Sequence, residues 1–159
     1  MANIKSITVE DWVELRNQGI NVAVNTLLNG YSMMPLIRKN KDKVKIIPIY
    51  RELLIGDVVL FDNGSKYVVH RLYKIDEEVY QTWGDNCLGP DRPLKKENIL
   101  GLVSEYTRDG KVHVLDSEEA REWGKKWTGS MQQRRYAQRY AMMLRVQRIP
   151  GWIKRKLVG

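Results

Sequence analysis

The stretch that decides the fold reads VVLFDNGSKYVVHRL and covers residues 58–72. It places two runs of mainly β-branched and aromatic residues on either side of Asn63-Gly64, and such a pair is a strong local signal for a β-hairpin. Similar runs stand at residues 44–49, 79–83, 100–106 and 111–115, separated by short turns. The pattern predicts a mostly β domain with an antiparallel sheet.

A lone serine, Ser32, stands in the segment GYSMMP (residues 30–35), directly after a period-two run at residues 20–28 that predicts a half-buried strand. Gly30 permits a sharp bend, and Pro35 ends the strand ladder. A serine between two such residues can be exposed and rigidly oriented, as a nucleophile must be. An ordinary turn serine fits the same pattern, so both interpretations stay open at this point.

Length and composition limit the classes of protein to consider. The 159 residues suit one domain with a real core. The single cysteine, Cys87, excludes an internal disulfide, and no apolar run reaches the ~20 residues of a membrane-spanning helix. The first residues lack the apolar segment of a secretory signal. From these features we expect a cytoplasmic protein without a transmembrane segment.

The net charge of +8 is concentrated at one end of the chain. Residues 1–116 carry 16 basic and 16 acidic side chains, whereas residues 117–159 carry 11 basic and 3 acidic ones. We therefore divide the chain into a β domain at 1–116, opened by a short helix capped near Thr8, and a basic helical tail at 117–159. Such a tail indicates a negatively charged partner.

The tail is predicted to form an amphipathic helix over residues 131–149. Helical spacing places five side chains on one face, namely Tyr136, Ala137, Tyr140, Met143 and Leu144, and puts arginines on another. Residues 152–157 add a tryptophan and a cationic cluster. The helix can lie on an anionic membrane surface, or it can pack its aromatic face on the β domain and leave its arginines in water. The sequence leaves both alternatives open.

His70 is the best candidate for a base that activates Ser32. Its strand is apolar up to that position, which places the imidazole at the edge of a core, whereas the other histidine, His113, fits a solvent-facing strand position. A neutral imidazole can take the proton of a serine hydroxyl, and a carboxylate is then needed to orient the ring. Asp85 and Asp91, in a Gly- and Pro-rich loop, are the candidates.

An ordered set of motifs resembles the type I signal peptidases and the wider S24/S26 serine peptidase clan. The motifs are GYSMMP at 30–35, GDVVLF at 56–61, VHR at 69–71, GDN at 84–86 followed by Asp91, and LGLV at 100–103. The resemblance covers roughly residues 20–105. It implies the clan's coiled antiparallel β-sheet body, of the signal peptidase and LexA-like type, and the branch of the clan that uses histidine as the base.

The resemblance implies a serine endopeptidase that processes a precursor or leader peptide. Ser32 would be the nucleophile, His70 the base and Asp91 the third member of the triad, with Asp85 in a supporting role. Some relatives carry a hydroxyl residue two positions before the nucleophile. This chain has Gly30 there, so the oxyanion would be held mainly by backbone N–H groups. Neither a cofactor nor a metal is expected.

The substrate would be an extended peptide paired to an exposed strand edge, with Met33, Met34 and Leu36 as candidates for a pocket wall or for the core. Typical signal peptidases have an N-terminal membrane anchor, and the first residues here carry no apolar run of that kind, so we expect none. We therefore expect a cytoplasmic or membrane-proximal precursor as substrate, and contact of the tail with an anionic membrane.

Three other functions were considered. A cysteine peptidase that uses Cys87 with His70 leaves the Ser32 segment unexplained. A self-cleaving LexA-type repressor requires a lysine base and a preceding DNA-binding domain. The third alternative is a catalytically idle binding module of the same fold, whose basic tail binds a membrane, a nucleic acid or a partner protein; nucleic acid is the least expected of these.

Overall fold

The computed structural model describes residues 7–151, 153 and 155 of the chain. The helices are α1 (Val9–Asn17), α2 (Glu118–Trp127) and α3 (Met131–Gln147), with a 3-10 turn at Lys96–Asn98. The strands are β1 (Val24–Leu27), β2 (Lys43–Ile47), β3 (Val58–Asp62), β4 (Tyr67–Asp76), β5 (Val79–Trp83), β6 (Leu94–Lys95), β7 (Ile99–Arg108) and β8 (Lys111–Val114).

All the strands of the described chain belong to one antiparallel sheet in the order β1-β2-β7-β3-β4-β5-β6, with β8 paired to β7. The sheet curls into a half-barrel. Register shifts interrupt the ladders at Lys45/Ile46, Leu60/Phe61 and Leu72/Lys74, and such bulges bend the strands that carry them. The prediction of a mostly β, antiparallel body with a short N-terminal helix and a helical tail is confirmed.

The hairpin of β3 and β4 lies in the middle of this sheet and carries apolar side chains on both faces. Val58 and Leu60 pack into one core cluster with Trp12 of α1, whereas Val59 and Phe61 pack into a second cluster on the opposite face. Successive side chains of a strand point to opposite faces, so β3 joins the two clusters. This double burial fixes the position of β4, and with it that of His70.

The first strand is shorter than predicted. The period-two pattern ran from residue 20 to 28, but β1 comprises only Val24–Leu27, because it pairs with just four residues of the short strand β2. The side chains of Ile20 and Val22 are exposed. Strand β6 was not predicted, since two residues after Pro93 carry no periodic signal.

The tail forms two helices that pack on the β domain. Ser117 caps α2, and the chain turns at Gly129, whose φ of +77° suits glycine, before α3 begins. The face of α3 that contains Ala137 and Tyr140 is turned inward, as one of the two predicted alternatives required. Met143, three residues after Tyr140, shares that face by helical spacing but is 43% exposed.

Residues 152, 154 and 156–157 of the predicted membrane-contacting segment lie outside the described residues. Among the helices that the structure does describe, none combines the length and the apolar character needed to cross a bilayer.

Candidate active site

Ser32 lies in a series of turns that follows β1. The N–H of Met34 donates to the carbonyl of Tyr31 at 3.2 Å, and the N–H of Ile37 donates to the carbonyl of Met33 at 2.9 Å. The side chain of Met33 is only 2% exposed and packs in the core, which anchors the segment, while Ser32 is half-buried. The turn therefore holds a serine at the surface on a fixed backbone.

A partly buried ion cluster, with a fully buried carboxylate at its centre, fixes the far side of the same turn. Arg108, at the end of β7, donates to the carbonyls of Pro35 and Leu36 at 3.2 and 2.8 Å. Its guanidinium is held at 2.6 Å by Asp42, a carboxylate with no exposed surface that also binds Arg38. Burial raises the pKa of Asp42, but hydrogen bonds from Arg108 and Arg38 outweigh it and lower the pKa to about 2. Asp42 is therefore charged at neutral pH and keeps Arg108 on the turn.

His70 lies in β4 with its ring buried beside Asp91. Nδ1 of His70 is 2.6 Å from Oδ2 of Asp91, and the same oxygen accepts a 2.7 Å hydrogen bond from the hydroxyl of Thr82. Asp91 is further held by its main chain, because its N–H donates to the carbonyl of Thr82 and its carbonyl accepts from the side chain of Gln81. Asp91 is thus the carboxylate that orients the imidazole.

The electrostatic surroundings of His70 favour its protonated form. Burial lowers the pKa of His70, but the hydrogen bond with Asp91 and the contact with the Cys87 side chain outweigh it and raise the pKa to about 9. With Nδ1 engaged by Asp91, Nε2 is the atom left for proton exchange. Nε2 is buried and has no hydrogen-bond partner among the described residues.

Gly84 lies between the backbone carbonyl of Ser32 and the ring of His70. A Cβ on Gly84 would lie 2.6 Å from Sγ of Cys87, 2.8 Å from the backbone carbonyl oxygen of Ser32 and 2.9 Å from Nε2 of His70. All three atoms therefore surround one point that only a glycine leaves free. The backbone of the candidate nucleophile and the free nitrogen of the candidate base meet there, although the two residues are 38 positions apart in the sequence.

The segment of residues 84–87, termed here the 84–87 loop, is bonded directly to the serine turn. The N–H of Asn86 donates to the carbonyl of Ser32 at 2.7 Å, and its side-chain amide donates to the carbonyl of Tyr31 at 3.0 Å. These two bonds fix the turn against the loop. A Cβ on Gly30 would lie 4.0 Å from Oγ of Ser32, so Gly30 leaves open space beside the hydroxyl.

Asp85 contacts a different partner from the one first considered. Its two carboxylate oxygens accept from Nε and Nη2 of Arg71 at 3.0 and 2.8 Å, and both side chains are buried. Arg71 also donates to the carbonyl of Gly56. Asp85 therefore fixes the residue next to His70 in β4, while Asp91 contacts the imidazole itself.

A groove of about 430 Å³ runs past Ser32, between the end of β1 and the start of β4. Gly30, Ser32 and Met33 line it from the turn, and Leu60 and Val69 line it from the hairpin. Met33 thus serves both the groove and the core. Met34 and Leu36 are not among the lining residues; Leu36 packs against the core instead.

Three residues at the site were missed by the sequence reasoning, namely Thr82, Trp127 and Gln133, and Gly84 was part of the GDN motif but was given no role. Gln133 has no exposed surface, and its position four residues before Ala137 places it on the buried face of α3. A polar residue at that spacing was the available signal. Thr82 carried no such signal. The alternation along β5 predicts the sheet face on which Thr82 lies, but it does not predict that the carboxylate nine residues later folds back onto it.

His113, the second histidine, lies on the exposed strand β8 and stacks on Tyr106 with ring centroids 4.7 Å apart. Within the described residues, no three His, Cys, Asp or Glu side chains come together as a metal site. No protein-family model matches the chain, and no curated protein matches it either.

Proposed function

We propose that the chain is a serine endopeptidase in which Ser32, His70 and Asp91 act together on a peptide bond. The observation that carries the proposal is the surroundings of Nε2 of His70. Its ring is oriented by Asp91 through a 2.6 Å contact. Its second nitrogen is buried and has no hydrogen-bond partner by distance among the described residues, and it lies near both Sγ of Cys87 and the backbone carbonyl of Ser32. A base held in this way is suited to take a hydroxyl proton.

The reaction would be acyl transfer. The hydroxyl of Ser32 turns toward Nε2 and attacks the peptide carbonyl while His70 takes its proton, and backbone N–H groups of the turn hold the oxyanion. His70 then gives the proton to the departing amine, and water releases the acyl group by the same route in reverse order. The resemblance of the motifs at residues 30–103 to the S24/S26 peptidases supports this assignment of roles.

The groove beside Ser32 supports an extended peptide as substrate. β1 is an edge strand of the described sheet, so its outer backbone groups can pair with a peptide strand. The lining next to Ser32 is apolar at Met33, Leu60 and Val69. A precursor or leader peptide with apolar or small residues near the cut fits this lining.

The proposal is tested by incubating the protein with a peptide library and reading the cut sites by mass spectrometry. We expect cleavage at a restricted set of sites by the wild type and none by Ser32→Ala. The matched control is Ser65→Ala in the β3–β4 turn, which should cleave as the wild type does. Equal product from Ser32→Ala and wild type would refute the proposal.

A second function, contact with an anionic membrane surface, is supported by the outer face of α3. That face exposes five arginines, Arg134, Arg135, Arg139, Arg145 and Arg148, beside apolar side chains such as Met142 and Val146, which are 68% and 47% exposed. Cationic and apolar groups on one exposed helix face are suited to an interface with anionic lipid.

Co-sedimentation with vesicles tests the membrane proposal. We expect binding to anionic vesicles, weak binding to neutral ones, and reduced binding of a variant with Arg139→Gln and Arg145→Gln. Lys96→Gln, in the 3-10 turn outside α3, is the control. Binding without peptide cleavage would instead favour the catalytically idle module, and equal sedimentation with both vesicle types would dismiss the electrostatic contact.

A further inference from the structure

We propose that the C-terminal helices complete the reaction centre, with Gln133 of α3 as a positioning residue that sets the 84–87 loop between Ser32 and His70. The inference rests on the proposed peptidase function. It assigns a role to α2 and α3, which lie outside the part of the chain that carries the resemblance, and to a residue that contacts neither the substrate nor the base.

Both ends of the Gln133 carboxamide form hydrogen bonds. Its Nε2 donates to the carbonyl of Gly84 at 2.9 Å, and its Oε1 accepts from the N–H of Gly129 in the turn between α2 and α3. The side chain has no exposed surface. Because a buried amide with both ends bonded has one orientation, Gln133 links the start of α3 rigidly to the loop.

The bonded residue, Gly84, is the one that touches both sides of the site. Its α-carbon faces the carbonyl of Ser32 and Nε2 of His70 at distances that would not admit even a methyl group. A shift of this peptide would therefore change the gap between the serine turn and the imidazole. The hydrogen bond from Gln133 holds the carbonyl of that peptide.

Two further contacts from the tail act on the same parts of the site. The indole N–H of Trp127 in α2 donates to the carbonyl of Asp85 at 3.0 Å, so consecutive carbonyls of the loop are bound by consecutive helices. On the other side, Tyr140 of α3 packs against Tyr31, the residue before Ser32, with ring centroids 5.4 Å apart. The tail thus contacts both the loop and the serine turn.

Helix α2 is also secured on the body by contacts that do not involve Gln133. Gly124 of α2 lies against Arg71, and Arg121 pairs with Asp116 at 3.3 Å in a cluster that also contains Asp57. Removing the two hydrogen bonds of the Gln133 side chain, to Gly84 and to Gly129, should therefore leave α2 docked. This separation makes a positioning role distinguishable from a purely structural one.

The test compares Gln133→Ala with Gln132→Ala, a variant of the neighbouring, exposed residue, in the full-length protein. Three quantities are measured: the thermal midpoint, kcat and KM on a peptide that the wild type cleaves, and the NMR titration of His70, for which His113 is an internal reference. For Gln133→Ala we expect a folded protein whose kcat is about ten- to a hundredfold lower and whose KM is within about twofold of the wild-type value. We also expect the midpoint of the His70 titration to move to lower pH, because Cys87 withdraws with the loop. Gln132→Ala should match the wild type in all three.

Wild-type values of kcat or of the His70 midpoint in a folded Gln133→Ala variant would overturn the inference. If that variant does not fold, Trp127→Phe carries the test, because it keeps the aromatic packing and removes only the donor to the loop; the same loss of kcat and the same shift of His70 are expected. If the wild type cleaves no peptide, the proposed function fails, and the His70 titration alone decides whether α3 sets the site.

Discussion

Asp85 and Asp91 lie six residues apart in one loop, yet their contacts assign them opposite roles. Asp91→Asn should lower kcat by about ten-thousandfold, because the imidazole loses the carboxylate that orients it. Asp85→Asn should lower the free energy of unfolding by about 3–5 kcal/mol, because the buried charge of Arg71 loses its partner. Peptide cleavage and urea unfolding measure the two effects. The reverse pattern would contradict the assignment.

In the proposed mechanism, the protonation of His70 sets the pH dependence of cleavage. Since its pKa is raised to about 9 and catalysis requires the neutral ring, kcat/KM should rise with pH and level off above about 9. Cys87→Ala removes one of the contacts that raise the pKa, so the midpoint should move to lower pH. A pH–rate profile on a cleaved peptide measures this, with His113→Ala as the control. A midpoint near 6.5 in the wild type would argue against the buried His70–Asp91 pair.

The same shift links His70 to stability with a defined sign. A histidine whose pKa is higher in the folded than in the unfolded protein stabilises the fold fully below the unfolded value of 6.5. That contribution is lost as the pH rises through about 9. Catalysis and this part of the stability therefore change in opposite directions over the same range of pH.

At the scale of elements, the packing of α2 depends on the absence of a side chain at Gly124. A Cβ there would lie 2.3 Å from Nη1 of Arg71, which is itself held by Asp85. In an exposed helix, replacing glycine by alanine gains about 1 kcal/mol. Here we expect Gly124→Ala to lower the free energy of unfolding by about 1–3 kcal/mol through overpacking.

Thermal or urea unfolding measures this effect. Gly89→Ala is the matched control, because a Cβ on Gly89 meets nothing within 4 Å. A Gly124→Ala protein as stable as the wild type would show that α2 can move away from Arg71 without cost. That result would also weaken the role given to the tail, since α2 and α3 would then not be firmly seated.

At the scale of the whole molecule, Asp42 joins the serine turn to the end of β7 through Arg108. It should therefore contribute to how the free energy of unfolding depends on pH in the acid range. Its pKa is lowered from 3.8 to about 2, so its contribution of about 2 kcal/mol is present above pH 4 and lost as the pH falls through 2. Asp42→Asn should remove that contribution at neutral pH. The difference between the variant and the wild type should vanish near pH 2.

Unfolding by urea at a series of pH values tests this expectation. The control is Asp109→Asn, which changes an exposed carboxylate that contacts Arg38, one of the two arginines bound by Asp42. A constant difference between Asp42→Asn and the wild type down to pH 2 would contradict the charged role of Asp42.

Local patterns were sufficient for most of the sheet. The hairpin around Asn63-Gly64 and strand β5 were predicted at their observed places, because alternation and turn residues act over a few positions. β1 was overestimated at its start, since its length is set by pairing with β2. The number of partners available to a strand is not a local property.

Less of the candidate site than of the sheet could be predicted from such local patterns. The sequence suggested His70 and two aspartates, and the choice of Asp91 came from the resemblance alone. The link between Gln133 and Gly84 joins residues 49 positions apart, so no short-range spacing encodes it. The docking of α3 was one of two alternatives, because its amphipathic pattern does not say whether protein or lipid covers the aromatic face.

The central claim is that the acyl group of a cleaved peptide is transferred to Ser32. The most direct measurement is peptide mapping by mass spectrometry of protein quenched in acid while it cleaves a peptide, alongside Ser32→Ala. We predict the N-terminal fragment of the peptide as an ester on Ser32 in the wild type, and neither adduct nor cleavage in the variant. An adduct on Cys87, or cleavage that persists in Ser32→Ala, would contradict the account.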